Sequence, residues 1–497
     1  MKILSMERLR ESTIGYDDYA SIALSDHARY IYSAAFRRLQ MKAQVFSLES
    51  NAAVRSRLTH SIEVAHIGDF LVQKFVEIIK DRKEKGLAIS NEYLFFYENE
   101  ISVRKVVQTA CLIHDVGNPP FGHFGESAIC AWFKDYLLAQ DNHLGESCKR
   151  SFSLKDIDVN YNDFLYFDGN PQGLRIISKL QGNDGYGLNL STSQIAACIK
   201  YIASNSQVGG DGIFKKMGYF STEEGVVKAV HSDLGITDRH VLVYLMEAAD
   251  DISYCISDIE DGLEKGVVSY STFFKYVYKR INEVFSLFGE QFLPCKEKEN
   301  IESCLNRINE LFRDVDSDID SEEYPDIFLK LKTNITNLSV KMVASEIHSR
   351  FDELILGKRD AIICEETPVY ALQEVLKSFT RKYIFSSHEA ENMELGGYAI
   401  IYGLLDKFKV LLDIPRQQFS DAINKQKNKG VSKVSCHLIN LLPDKHRKAY
   451  LKAVSIDGVS DEKEFNLRCH LVVDYISGMT DSYAMEIYQL LNGIKVK

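Results

Sequence analysis

Hydrophobic side chains recur at steps of three and four residues along several long segments of the chain. Between Leu242 and Leu263 they mark one side of a helix, and a second run of this kind spans Val103 to Ile113. A third begins at about Leu58. Such spacing is typical of amphipathic α-helices, whereas strands alternate apolar and polar residues. Because only 8 prolines and 29 glycines punctuate the chain, the pattern predicts an all-α protein.

Length and composition indicate a folded protein with a large core, since 45% of the 497 residues are hydrophobic. We predict two parts, a catalytic helical body over residues 1–300 and a helical C-terminal lobe over residues 330–497. No apolar run approaches the roughly 18 residues of a membrane span. The ten cysteines are scattered and form no CxxC pair, which argues against zinc fingers and disulfide frameworks. We therefore expect a cytoplasmic protein.

The charge balance limits the ligands that this chain can bind through bulk electrostatics. With 70 acidic and 59 basic side chains, its formal net charge is -11. A surface of this sign repels phosphate and nucleic acid. Any polyanionic ligand must therefore be met by a local basic patch or by a metal ion.

Histidine and aspartate side chains stand at three positions that belong to helices or follow them. His114 and Asp115 follow the helix that ends at Ile113, His60 lies near the start of another helix, and Asp250 lies on a third, long helix but off its apolar face. This ordered set of His, His-Asp and Asp matches the metal signature of the HD phosphohydrolase superfamily. Two imidazoles and two carboxylates suit manganese, and magnesium when substrate phosphates complete its coordination shell.

A turn-rich segment follows the His-Asp pair. Residues 117–126 contain two prolines and three glycines, and we expect a loop in which His123 and Glu126 contact each other. A carboxylate beside an imidazole raises the pKa of the imidazole and orients the ring, as general acid catalysis requires. The sequence therefore predicts a catalytic pair beside the metal site.

The helix that carries Asp250 also carries a polar stripe. Tyr254, Asp258 and Asp261 follow at i+4, i+8 and i+11, and no basic residue lies between Asp250 and Glu264. A helix rises about 6 Å in four residues, so the stripe extends from the metal over the length of a nucleotide sugar. We interpret it as a ruler along a bound nucleotide.

Five segments, spread over nearly the whole chain, resemble the enterobacterial deoxyguanosine triphosphate triphosphohydrolases of the HD superfamily. They are residues 44–46, 51–61, 114–126, 246–254 and 474–481. The resemblance implies an HD-domain helical core with a helical C-terminal lobe that contributes to base recognition and oligomer contacts. It also implies metal-dependent hydrolysis of dGTP to deoxyguanosine and inorganic triphosphate by attack at the α-phosphorus. A homohexamer and binding of single-stranded DNA are further properties that it implies.

The family pattern assigns roles to fourteen residues of this chain. The metal ligands are His60, His114, Asp115 and Asp250, and the catalytic pair is His123 and Glu126. The substrate contacts are Arg57, Lys200 and Tyr201 for the phosphates, Gln44 and Tyr254 for the sugar, Asp258 for its 3′-hydroxyl, Val45 where a ribose 2′-hydroxyl would lie, and Glu394 for the guanine.

The chain departs from the wider family at one position of a Phe-x-His-Asn-x-Gln motif. Gly169 stands where many members carry the histidine, and Asn170 follows it. Because glycine has no side chain to transfer a proton, a mechanism that needs this histidine is in doubt here.

Two other functions remain open. One is another HD phosphohydrolase, acting on nucleoside monophosphates or guanosine tetraphosphate. The other is a protein responsive to single-stranded DNA whose nucleotide site only senses dGTP. The candidate DNA contacts are Arg37, Arg38 and Lys42, together with Lys445, Arg447 and Lys448. Ordinary solvated helix faces would explain these clusters equally well.

Overall fold

The computed structural model describes residues 1–142, 161–182, 184–288, 324–426, 430–456 and 458–494. Within these ranges the regular structure is helical, and the β-bridges, such as that between Ala43 and Ser56, are isolated. This confirms the all-α prediction. None of the described helices is long and apolar enough to cross a membrane. Residues 289–323, which span much of the predicted boundary between body and lobe, lie outside the described ranges.

The first part of the chain forms twelve labelled helices. They are α1 (Tyr19–Ile31), α2 (Ala34–Arg38), α3 (Arg57–Glu84), α4 (Asn91–Glu98), α5 (Glu100–Ile113), α6 (Gly122–Asn142), α7 (Asn162–Leu165), α8 (Gly169–Arg175), α9 (Thr192–Ala196), α10 (Glu224–Leu234), α11 (Val241–Glu264) and α12 (Tyr270–Phe288). Short 3₁₀ turns cover Leu39–Met41, Gly212–Phe214 and Ser221–Glu223, and a π-turn covers Ile176–Leu180.

The second part continues with helices of similar length. They are α13 (Tyr324–Ser349), α14 (Phe351–Ile355), α15 (Pro368–Thr380), α16 (His388–Asp413), α17 (Arg416–Ile423), α18 (Lys433–Leu441), α19 (Asp444–Val454), α20 (Asp461–Ser477) and α21 (Asp481–Leu491). A π-turn at Arg381–Phe385 joins α15 to the segment before α16.

Helices α3, α5 and α11 pack closely around one small residue. A β-carbon at Gly68 of α3 would lie 2.7 Å from the Cys111 sulfur of α5 and 3.6 Å from the Ala249 β-carbon of α11. A side chain at this position would therefore force the helices apart. The close approach brings the first turn of α3, the end of α5 and the middle of α11 to one place.

The ends of two helices explain how particular side chains reach that place. Ser56 caps α3 by accepting a hydrogen bond from the Thr59 amide, which leaves Arg57 and His60 in the first turn. His114 caps the C-terminus of α5, with its amide bonded to the Ala110 carbonyl at 3.0 Å. Side chains at these ends are free to turn toward the same point.

Buried hydrophobic side chains form two clusters. The first joins α3, α5 and α11 to α13–α15, with Leu71 and Phe75 at its centre. The second joins α6 and α7 to the helices from α16 to α21, and in it the rings of Phe133 and Phe164 stack 4.5 Å apart. The two clusters thus group the chain differently from the division into residues 1–300 and 330–497, which stays a prediction.

Candidate active site

One cavity of about 480 Å³ collects side chains from distant parts of the chain. Its lining includes all fourteen residues to which the family pattern assigned a role. They are Gln44, Val45, Arg57, His60, His114, Asp115, His123, Glu126, Lys200, Tyr201, Asp250, Tyr254, Asp258 and Glu394. They come from α3, the end of α5, the start of α6, α11, α16 and the segments before α3 and after α9.

Three of the four predicted metal ligands form a compact group. The ligand atoms of His60, His114 and Asp250 all lie within 4.8 Å of one another. Asp250 Oδ1 is 3.2 Å from His60 Nε2 and 3.5 Å from His114 Nε2. His114 Nδ1 donates to the Cys111 carbonyl at 2.6 Å, which leaves the Nε2 lone pair facing the group. Two imidazoles and a carboxylate in this arrangement fit a divalent metal ion.

Asp115, the fourth predicted ligand, lies at the edge of this group. Its Oδ2 accepts a hydrogen bond from Arg57 Nη1 at 2.6 Å and lies 3.6 Å from His114 Nε2. Its Oδ1 accepts from the Asn118 side-chain amide at 2.6 Å. Burial opposes ionisation of Asp115, but Arg57 and the two histidines lower its pKa to about 2. The carboxylate is therefore charged and shared between the arginine and the metal group.

The charges around Asp250 also favour its ionised form. Burial would raise the pKa of this carboxyl, but His114, His60 and Lys200 hold it well below the usual range. Lys200 in turn lies 3.6 Å from Glu247, whose other oxygen accepts a hydrogen bond from Arg239 at 2.6 Å. Burial opposes the charge of Lys200, but Glu247 raises its pKa, so this side chain stays a cation beside the metal group.

The predicted catalytic pair is in contact, but on a helix and not in a loop. Helix α6 begins at Gly122, so His123 and Glu126 lie in its first turns and meet as an i, i+3 pair. His123 Nδ1 is 2.7 Å from Glu126 Oε2, and this hydrogen bond raises the pKa of the imidazole against the effect of burial. Glu126 is buried and its Oε1 accepts the Gly169 amide at 2.8 Å, while the His123 side chain is 79% exposed.

The structure also explains the glycine that departs from the wider family. A β-carbon at Gly169 would lie only 2.0 Å from Asn118 Oδ1. A histidine here would therefore require the Asn118 side chain to move away. Gly169 contributes its amide to Glu126 instead, and Asn170 lines the cavity.

Asp258 lies two turns along α11 from Asp250, but it lacks the close charged partners that Asp250 has. The Asp258 side chain is fully buried, and neither carboxylate oxygen has a partner of good hydrogen-bond geometry among the described residues, although the Tyr254 hydroxyl interacts with the carboxyl group. Burial raises its pKa to about 8; Asp261 and Asp250 act in the same direction, whereas His60 opposes them. Burial, with Asp258 one turn away, also raises the pKa of Tyr254.

The predicted ruler along α11 ends at Asp258. Asp261 does not belong to the cavity lining, because Arg55 Nη1 donates to its Oδ1 at 2.7 Å. For Asp261, the interpretation of the stripe as a nucleotide contact is therefore wrong.

Two charged residues of the cavity were missed by the sequence analysis, and Lys42 was given a surface role that the burial of this side chain excludes. Lys216 lines the cavity with Asp168, and its Nζ is 2.8 Å from Asp168 Oδ2. Neither lies in a periodic segment or a recognised spacing, although Asp168 directly precedes the Gly169-Asn170 motif. Lys42, proposed from sequence as a DNA contact, is only 3% exposed, so that proposal is wrong for Lys42.

Comparison with known proteins gives one family model and several full-length relatives. The phosphohydrolase-associated domain model matches residues 441–490, which we call the associated segment. Three relatives bear the name deoxyguanosinetriphosphate triphosphohydrolase. The protein of Enterobacter sp. (strain 638) is 33% identical over 95% of this chain and 94% of its own length. That of Klebsiella pneumoniae is 33% identical over 96% and 95%, and that of Salmonella paratyphi A is 33% identical over 95% and 93%.

Proposed function

The chain belongs to the family of the deoxyguanosinetriphosphate triphosphohydrolases, and from this premise we propose that it hydrolyses dGTP to deoxyguanosine and inorganic triphosphate. The observation that carries the proposal is the single cavity lined by all fourteen assigned residues. Its charge pattern supports the same substrate. Cations and metal-binding groups gather at one end, and a buried acid without a well-placed hydrogen-bond donor among the described residues lies at the other.

The metal end fits manganese or magnesium, which His60, His114 and Asp250 would hold, with Asp115 as the fourth ligand that the family pattern implies. When bound, such an ion supplies Lewis-acid activation of a water molecule and of a phosphoryl oxygen. Arg57, paired with Asp115, and Lys200, whose charge acts on Asp250, provide positive charge beside the metal group. With Tyr201, they bind the triphosphate and stabilise the negative charge that builds up on the α-phosphoryl oxygens.

His123 donates the proton that the reaction requires. Attack of water at the α-phosphorus expels the 5′-oxygen of deoxyguanosine, which is a poor leaving group unless it is protonated. Glu126 engages His123 through Nδ1, so the Nε2 proton is the one available for transfer. Cleavage at this bond leaves the triphosphate intact.

The other end of the cavity suits a deoxyguanosine. Gln44 and Tyr254 line the sugar, and Asp258 meets the 3′-hydroxyl, the well-placed donor that its oxygens lack. Val45 occupies the space of a ribose 2′-hydroxyl. Glu394 of α16 accepts from the donor edge of guanine, in keeping with a role of the C-terminal lobe in base recognition.

A substrate panel with phosphorus NMR tests the proposal. The four dNTPs, GTP, a nucleoside monophosphate and guanosine tetraphosphate are incubated with the protein and either manganese or magnesium. We expect dGTP to be consumed fastest and triphosphate to be the phosphorus product. Pyrophosphate or single phosphates from dGTP would contradict attack at the α-phosphorus. Preferred turnover of another panel member would identify a different HD phosphohydrolase, and tight dGTP binding without turnover would identify a sensor.

Three further features stay predictions, the first two from the family resemblance and the third from the composition of the sequence. They are a homohexamer, binding of single-stranded DNA and a cytoplasmic location. Sedimentation of the purified protein tests the first, and binding of a labelled single strand at increasing salt tests the second. With Lys42 buried, the candidate DNA contacts are reduced to Arg37, Arg38, Lys445, Arg447 and Lys448.

A further inference from the structure

A buried carboxylate of the associated segment reaches two backbone amides at the edge of the cavity. Asp481, the first residue of α21, accepts the Ala43 amide through Oδ2 at 2.9 Å and the Phe121 amide through Oδ1 at 3.1 Å. Ala43 directly precedes Gln44, and Phe121 lies two residues before His123. One side chain therefore ties together the segment assigned to the sugar and the segment that leads to the catalytic histidine.

Lys42 makes a second tie between the same parts. Its buried ammonium donates to the Ser477 carbonyl of α20 at 3.0 Å and to the Asn118 carbonyl. Ser477 and Asp481 both belong to the associated segment, and Asn118 belongs to the loop after Asp115. The loop between the metal ligands and α6 is thus held from the C-terminal part of the chain at Asn118 and at Phe121.

This loop has a backbone conformation that needs such support. Phe121 has a φ of 61°, in the left-handed region that residues other than glycine rarely adopt. Its ring is buried in the second hydrophobic cluster, and a β-carbon at Gly397 of α16 would come within 2.5 Å of it. Strain of this kind persists only where surrounding contacts hold it. The Asp481 bond and the packing against α16 supply those contacts.

We propose that Asp481 is a positioning residue for hydrolysis, which fixes the start of α6 so that His123 reaches the leaving oxygen. The His123 ring is largely exposed, so packing around the ring cannot set its position. The backbone at the start of α6 and the bond to Glu126 must do so. The proposal rests on the role of His123 given above, and it gives the associated segment a part in catalysis.

The first variant is Asp481→Asn. The amide has nearly the same size, but it offers one acceptor where the carboxylate offers two, so one of the two backbone amides loses its partner. We expect the kcat for dGTP to fall about 10- to 100-fold, as for a catalytic group displaced by a fraction of an ångström to an ångström. The KM for dGTP should change less than about threefold, since Arg57 and Lys200 are untouched.

Glu464→Gln is the matched control for loss of stability. Glu464 is also a buried acid of the associated segment, but its bonds to Tyr450 and Arg468 stay within that segment. We expect a similar fall in melting temperature with little change in kcat. If Glu464→Gln lowers kcat as much as Asp481→Asn does, the positioning role is wrong.

A substrate that does not need a general acid separates positioning from general damage. In dGTP with sulfur in place of the 5′-oxygen, the leaving thiolate is stable without protonation. His123→Asn and Asp481→Asn should both hydrolyse this analogue within about threefold of the wild-type rate. Rescue of His123→Asn alone would overturn the positioning role and leave the proposed function intact. Rescue of neither variant would overturn the acid role of His123 and the positioning role together.

Lys42→Gln provides an independent variant should Asp481→Asn not fold. The shorter amide cannot reach both carbonyls, so the loop loses one of its ties while Asp481 remains. We expect a smaller loss of kcat, about three- to tenfold, with the same rescue by the sulfur analogue. An unchanged kcat in a folded Lys42→Gln protein would contradict the proposal.

Discussion

Asp250 and Asp258 lie two turns apart on the same helix and line the same cavity, yet the pKa values of their carboxyl groups are shifted in opposite directions. The pKa of Asp250 lies well below its usual range, whereas that of Asp258 is raised to about 8. Burial acts in the same sense on both, because it disfavours the charged form of any carboxyl group. The difference must therefore come from their neighbours.

At the Asp250 end the chain itself supplies the partners. His60, His114 and Lys200 surround the carboxylate, and Asp115 beside it is paired with Arg57. At the Asp258 end, the hydroxyl of Tyr254 on α11 interacts with the carboxyl group, but without good hydrogen-bond geometry, and Asp261 and Asp250 add unfavourable charge. We call the Asp250 end complete, because this carboxylate has its partners within the chain, and the Asp258 end incomplete, because this carboxyl group still lacks a well-placed donor among the described residues. The phosphates of a nucleotide would face the cations of the complete end, and a sugar hydroxyl would supply the donor that the incomplete end lacks.

The largest loss of activity should come from removing the Asp250 side chain at the complete end of the cavity. In Asp250→Ala the carboxylate that joins the two histidines is lost, so metal affinity and transition-state stabilisation fall together. We expect kcat/KM for dGTP to fall at least about 10³-fold and metal content after dialysis, measured by atomic emission, to fall with it.

Asp251→Asn is the control for that change. Asp251 is the next residue of α11, but it faces away from the cavity lining and bonds to Lys377 at 3.0 Å. The variant should keep its metal and most of its activity. Activity that survives Asp250→Ala, or metal loss that is equal in the two variants, would contradict the assignment of the metal group.

A smaller effect, dependent on pH, is expected from Glu126→Gln. The hydrogen bond that His123 donates to Glu126 raises the pKa of His123, and an acid catalyst is active only while protonated. In the wild type, kcat should fall as pH rises through this raised pKa. Without the charge of Glu126 the pKa drops, so the fall should begin at lower pH. At alkaline pH we expect a loss of about 10- to 100-fold, measured as a pH–rate profile.

His123→Asn provides the comparison for that profile. It removes the titrating group, so the alkaline fall due to His123 should disappear, with a low rate across the range. If the fall moves to higher pH in Glu126→Gln, or persists unchanged in His123→Asn, then His123 is not the acid.

The sequence predicted the complete end of the cavity better than the other end. The metal ligands lie at helix ends or on one clear helical face, and the order of His, His-Asp and Asp was identified through its resemblance to the HD superfamily signature. The same periodicity suggested Asp261 as a substrate contact, although Arg55 binds it. That bond joins residues 206 positions apart, which no local pattern reveals.

Two other features could not be predicted from the sequence, again because contacts between distant residues determine them. Lys42 looks like part of a basic surface cluster, but it is buried against carbonyls of two distant segments. The start of α6 at Gly122 depends on tertiary contacts of Phe121, because two prolines and three glycines nearby favour a longer loop. Local propensity is a weak guide wherever contacts between distant residues decide the conformation.

The third and smallest change tests the incomplete end through stability as well as activity. An aspartate has a pKa near 3.9 in the unfolded chain, and that of Asp258 is about 8 in the folded protein. Its contribution to folding is therefore most favourable below about pH 4 and is lost as pH rises toward 8. The asparagine of Asp258→Asn does not ionise. The ligand-free variant should therefore become more stable than the wild type as pH rises from about 4 to 8. We expect about 1–3 kcal/mol at pH 8, measured by thermal unfolding in a chelator.

The same variant should lose its response to the 3′-hydroxyl. We expect kcat/KM for dGTP to fall about tenfold, and that for 2′,3′-dideoxyGTP to change little, because the analogue lacks the donor. Asp261→Asn, three residues further along α11, is the control and should have the opposite effect on stability. It weakens a bond to Arg55, so it should destabilise the protein at pH 8 and leave the ratio of the two substrates unchanged. If Asp258→Asn instead destabilises the protein at pH 8, or weakens both substrates equally, Asp258 already has its partner within the chain, and the contrast between the two ends of the cavity disappears.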